Sequence, residues 1–137
     1  MGYSNGYTGH LFEVEVLGIC RASYCGYMSW KDAAELVRKS QPVKKTPTVA
    51  RLEQEVGRQL GEAVKFYTAV RSAMDVLHGT DGFFEFHGFV VTIDVTMNPH
   101  KDSGKADVII CEDDLGNLPN LAGRIAREFI TKQRRAG

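Results

Sequence analysis

The chain has 137 residues, the length of one ordinary domain, and can bury a hydrophobic core without disulfide staples. Hydrophobic residues make up 43% and charged residues 25%, a globular composition that excludes a long disordered tract. Basic and acidic residues balance at 17 each, so overall charge does not announce a nucleic-acid binder, and no apolar run approaches the roughly 18–20 residues that cross a bilayer.

The first nine residues, Met1 to Gly9, are rich in Gly, Tyr and Ser, with neither a basic nor an apolar leader segment. They do not read as a secretory signal, and a cytoplasmic protein is expected. Phe12, Val14 and Val16 then alternate with Glu13 and Glu15. That period of two predicts a half-buried strand over about Leu11–Leu17. Ser29 lies three residues before Asp32, a capping pattern for a short helix to about Lys39. A Lys- and Pro-containing linker spans 40–46. Thr46 and Pro47 open a helix, and the spacing of Val49, Glu53, Val56, Leu60, Ala63, Tyr67, Val70, Met74 and Leu77 predicts that it continues to Leu77 and stops near Gly79. Gly57 and Gly61 weaken that helix by up to about 1 kcal/mol each and admit a kink. Phe83–His87 and Phe89–Met97 read as strands joined at Gly88. A polar loop spans Asn98–Gly104, and a third strand runs from Lys105 to Cys111. Asp113–Asn117 forms a turn, and Pro119 opens a final helix burying Leu121, Ala122, Ile125 and Phe129. The expected domain is thus one α/β unit over 1–137, a small central mixed sheet flanked by helices, with an N-terminal strand and helix extension (1–45) and a core (46–137) in which three strands form a meander between helices.

Charge is distributed unevenly. Residues 31–51 hold Lys31, Arg38, Lys39, Lys44, Lys45 and Arg51 against Asp32 and Glu35, and residues 116–137 hold five basic residues against Glu128. Between them, residues 81–115 hold eight acidic residues against Lys101 and Lys105. An acidic centre between basic segments suits a divalent-cation site with phosphate-binding arms, for which Lys44, Lys45, Arg134 and Arg135 are the candidates; solvated surface accounts for the same pattern. Cys20, Cys25 and Cys111 have no metal-knuckle spacing and read as reduced thiols. His10, His78, His87 and His100 lack the spacing of a zinc hydrolase, and there is no phosphate-binding glycine loop or serine nucleophile elbow. Trp30, Tyr24 and Tyr27 are either local core or a surface for stacking bases.

Asp94 lies within the most apolar strand, Val-Val-Thr-Ile-Asp-Val-Thr. A lone carboxylate is costly to bury unless something compensates it. Alternation puts Asp94 on one face with Thr92 and Thr96, and Ile93 and Val95 on the other. Asp81 opens the preceding strand, either as a turn residue or as a partner for Asp94 on one hard cation. Glu53 is the only charged member of the long helical stripe.

Glu53, then Thr80-Asp81, then twelve residues, then Asp94-Val95-Thr96 resembles the signature of the PD-(D/E)XK nuclease superfamily, over about Thr46 to Arg135. The resemblance implies a restriction-endonuclease-like core and metal-assisted hydrolysis of DNA, in a phage, mobile-element, resolvase or repair role. It implies that Asp81, Asp94 and the Val95 carbonyl bind Mg²⁺ or Mn²⁺, and that Glu53 holds a second ion or a water. Two features depart from the pattern. Thr96 stands where the family has lysine, so Lys101 or Lys105 would have to supply the amine. No strand follows the last helix, so the Leu11–Leu17 strand or a second subunit would complete the sheet. A homodimer is expected, because one short domain has little surface for gripping duplex DNA. The alternatives are a nuclease-like fold without catalysis that serves in binding or assembly, and an unrelated α/β protein dimerising through the long helix, whose stripe is also a heptad.

Overall fold

Chain order in the computed structural model is α1 (Asn5–Leu17), α2 (Trp30–Lys39), α3 (Pro47–Leu60), β1 (Lys65–Thr68), α4 (Ala73–His78), β2 (Gly82–Phe86), β3 (Phe89–Thr96), β4 (Val108–Cys111), a 3-10 turn (Glu112–Gly116) and α5 (Leu118–Ala136). The structure describes residues 5–24, 26–97 and 106–137, with side chains from residue 10 onward. The strands form one open mixed sheet in the order β1-β2-β3-β4. The first two pairings are antiparallel and β3–β4 is parallel.

Helices flank this sheet. Phe66, Phe84, Phe86, Val91, Ile93 and Val95 pack with Phe12 and Val16 of α1, Val49, Leu52 and Val56 of α3, and Leu121, Ile125 and Phe129 of α5. The alternate residues Tyr67, Phe83 and Val90 pack with Trp30, Ala33, Ala34 and Val37 of α2 and Ala73 and Met74 of α4. The period of two in β2 and β3 thus feeds two apolar layers. Arg38 ties the second layer to the sheet through a forked pair with Glu85 at 3.0 and 2.9 Å, its guanidinium 5.2 Å from the centre of the Phe83 ring.

Three sequence expectations are corrected. Residues 11–17 are helical. Phe12, Val16 and Leu17 are buried at helical spacing while Leu11 is 50% exposed, and Gly18, at φ +82°, ends the helix. The Val-Glu alternation satisfied both periods, and docking of one helical face decided between them. The helix from Pro47 stops at Leu60, where Gly61 takes a left-handed conformation at φ +82° and its N–H bonds Gly57. Lys65-Phe66-Tyr67-Thr68 then pairs with β2 and supplies the fourth strand. Because Val49, Leu52 and Val56 are buried within the chain, they form no exposed dimerisation seam. Finally, β4 runs parallel to β3, so the last strand does not continue a meander.

Other expectations agree with the structure. Ser29 caps α2 by accepting the Asp32 N–H, and Thr46 caps α3 by accepting that of Val49. His87 and Gly88 both have positive φ, 52° and 81°, the geometry of a tight two-residue hairpin. Gly61→Ala puts a Cβ into open space, so its penalty is conformational: about 1 kcal/mol lost, read as a lower urea midpoint with an unchanged slope.

Candidate metal centre

The centre lies at the end of the sheet where β1 finishes and β2 begins. The Asp81 N–H donates to the Ile93 carbonyl, and the Ala69 N–H donates to the Asp81 carbonyl. These bonds extend the sheet register one step before Gly82 and set Asp81 beside Asp94, since Gly82 pairs with Ile93. Gly82 leaves room for the Phe66 ring of β1, because a Cβ there would lie 2.4 Å from it. Asp81 and Asp94 are only 3% and 7% exposed.

Two further carboxylates come from helices. Glu13 of α1 and Asp75 of α4 each offer an oxygen which, with one from Asp81, forms a set lying within 4.8 Å of one another. Asp81 Oδ2 accepts the Val95 N–H at 2.8 Å. Burial pushes the Asp81 carboxyl up to about 10. Its hydrogen bond with Asp94 and the negative charges of Glu13 and Asp94 contribute to that rise, while the Val95 N–H opposes it. Without a cation, Asp81 therefore keeps its proton. The donor set fits a hard divalent cation, being all oxygen and rich in charge.

The candidate residues separate in space. Asp81 and Asp94 come together as expected. Glu53 does not join them. Its carboxylate takes the Lys45 ammonium at 2.7 Å and the Phe66 N–H at 2.7 Å. Phe66 is three residues before Ala69, so this contact lies roughly 10 Å along β1 from the Asp81 pairing. The charged outlier of the α3 stripe anchors the start of β1 instead. Glu13 and Asp75 are the helical carboxylates at the centre, and Glu13 is legible in the sequence only when residues 11–17 are taken as a helix. Asp75 reaches the centre only because β1 separates α4 from α3, a break that the continuous stripe from Val49 to Leu77 conceals.

Val95 contributes its N–H to Asp81, and its side chain is buried in the core. Lys101 and Lys105 lie outside the described residues. Lys45 is engaged by Glu53, whereas Lys44, Arg134 and Arg135 are exposed. Trp30 packs against Phe83 in the core, with ring centres 6.1 Å apart; Tyr24 and Tyr27 are exposed. Cys20 and Cys111 are free thiols, and no described helix is long and apolar enough to cross a membrane. Comparison with protein-family models, curated proteins and solved structures finds no match to this chain.

Proposed function

We propose that this chain is a Mg²⁺- or Mn²⁺-dependent endonuclease that hydrolyses DNA phosphodiester bonds on a restriction-endonuclease-like core. The observation that carries the reading is the buried Asp81–Asp94 pair, met by Glu13 and Asp75 at the open end of the sheet. Such a cluster lowers stability unless a cation offsets its charge. Its arrangement supports the reading, with one carboxylate from a helix, one before a strand and one on the neighbouring strand.

In this reading Glu13, Asp75 and Asp81, whose oxygens lie within 4.8 Å of one another, would hold the cation, and Asp94, hydrogen-bonded to Asp81, adds its charge beside them. A bound ion would supply an activated water and offset the charge that grows on the phosphate. The chain's own residues fix the geometry. The Val95 N–H orients Asp81, and the sheet register keeps Asp94 beside it. Lys44, Arg134 and Arg135 are proposed to contact phosphates without reading sequence, and a second copy of the chain to widen the grip on DNA. Thr96, in place of the motif lysine, supports a second reading, a nuclease-like module that binds metal and DNA without cutting.

Thermal melts with and without Mg²⁺ or Mn²⁺ test the centre. A cation that binds only the folded state raises the melting temperature with concentration. Supercoiled, linear, single-stranded and branched DNA should then be offered with each ion. Cleavage of at least one substrate is expected. A melting temperature indifferent to both ions rejects the metal centre, and a metal-dependent rise without cleavage of any substrate selects the second reading.

A further inference from the structure

Arg71 precedes α4 and has φ +76°, one of two described non-glycine residues with positive φ. A side chain in this conformation is strained. The backbone is pinned there from both sides. Its N–H donates to Asp75 Oδ2 at 2.8 Å, and its carbonyl accepts the Tyr24 N–H at 2.9 Å. Glycine would satisfy both bonds without strain, so backbone geometry does not explain the arginine.

Its side chain supplies a reason. Arg71 is exposed, and its backbone bonds one of the clustered carboxylates, yet its guanidinium forms no ion pair with any described carboxylate. Nε donates instead to His10 Nε2 at 3.1 Å. Arginine cannot accept, so His10 Nε2 must, which leaves the imidazole proton on Nδ1. That nitrogen lies 3.8 Å from Glu13 Oε1. The histidine therefore stands between the guanidinium, to which it is hydrogen-bonded, and the Glu13 carboxylate of the acidic centre. The two terminal nitrogens of Arg71 make no hydrogen bond among the described residues, and their planar fork is open.

We propose that Arg71 is a substrate-binding residue whose fork takes a phosphate of the nucleic acid at the rim of the acidic centre, with His10 as the positioning residue. The proposal rests on the metal-dependent nuclease reading. The fork suits two phosphate oxygens at once, and a cation at the rim offsets the repulsion between the carboxylates and an incoming phosphodiester. Lysine keeps the charge but not the paired geometry.

Arg71→Gly and Arg71→Lys test this against wild type. Binding of labelled single- and double-stranded oligonucleotides is measured by fluorescence anisotropy in Ca²⁺, with the DNA checked afterwards to be uncut. Melting temperatures are measured with and without Mg²⁺. Arg71→Gly is expected to be at least as stable as wild type, because it relieves the positive φ, and to keep its Mg²⁺ response, yet to bind DNA about tenfold or more weakly. Arg71→Lys should lie between the two. Wild-type affinity in both variants overturns the proposal, as does a wild-type protein that binds neither oligonucleotide. A glycine variant that melts lower and loses its Mg²⁺ response would show that Arg71 is structural, and overturns it too. Absence of a Mg²⁺ response in wild type rejects the metal centre itself, independently of the affinities, so the two failures are distinguishable.

Discussion

Asp94→Asn is expected to abolish metal-dependent DNA cleavage, with a loss of at least about a hundredfold, while leaving the fold intact. Asp94 sits in β3 between Ile93 and Val95, whose side chains enter the larger core layer. Its own carboxyl faces Asp81. Asparagine preserves the shape and can accept the Asp81 proton, so β3 should keep its pairing with β2 and β4. What it removes is the charge that competes with water for a divalent cation. Circular dichroism should overlay wild type, and cleavage should be absent with Mg²⁺ and Mn²⁺ alike. A variant that cuts as fast as wild type would remove Asp94 from the centre even if the protein is a nuclease.

Asp81→Asn should raise the stability of the metal-free protein at alkaline pH. The amide oxygen of asparagine can accept the Val95 N–H, and its NH₂ can donate to Asp94, as the protonated Asp81 does. The variant is therefore a permanent copy of the protonated state. In wild type the Asp81 carboxyl is raised to about 10 from an ordinary value near 3.8. A raised acid binds its proton more tightly in the folded chain than in the unfolded one. Its contribution is fully present below the unfolded value and is lost as pH rises through the folded value. The variant escapes that loss, so the melting-temperature difference between variant and metal-free wild type should widen from about pH 5 to about pH 9, reaching at least about 5 °C. The Mg²⁺-induced rise of wild type should grow over the same window, because the cation displaces a proton, and should vanish in the variant. A variant melting below wild type at the alkaline end would show that Asp81 does not hold a proton in the folded chain.

Much of the chain was legible because local chemistry and tertiary packing agree. Ser29 and Thr46 cap helices at their expected places, His87-Gly88 turns the β2–β3 hairpin, and Leu121, Ala122, Ile125 and Phe129 form the buried face of α5. The alternation in Val-Val-Thr-Ile-Asp-Val-Thr was enough to place Asp94 opposite the Ile93 and Val95 side chains. Composition and spacing also set the α/β class and the nearness of Asp81 to Asp94, since a short hairpin fixes register from its turn.

The misread elements share a physical cause. Phe12, Val14 and Val16 satisfy a strand period and a helix period together, and the tie is broken only when Phe12, Val16 and Leu17 dock against Val49, Phe66 and their neighbours. Val-Lys-Phe-Tyr-Thr fits a helical stripe until β2 offers hydrogen-bond partners and Gly61 adopts a conformation the helix cannot continue from. Whether β4 joined parallel or antiparallel was not encoded in its four residues, because direction depends on the path of the preceding chain. The centre shows the same division. Two of its carboxylates belong to one hairpin and could be paired from sequence. Glu13 and Asp75 come from two helices and lie 62 residues apart in sequence (75 − 13), and only packing brings them to Asp81. Glu53 stood out as a charge in an apolar stripe, but a charge can be satisfied by any suitable donor nearby, and the tertiary structure supplied Lys45 and the Phe66 N–H rather than a metal.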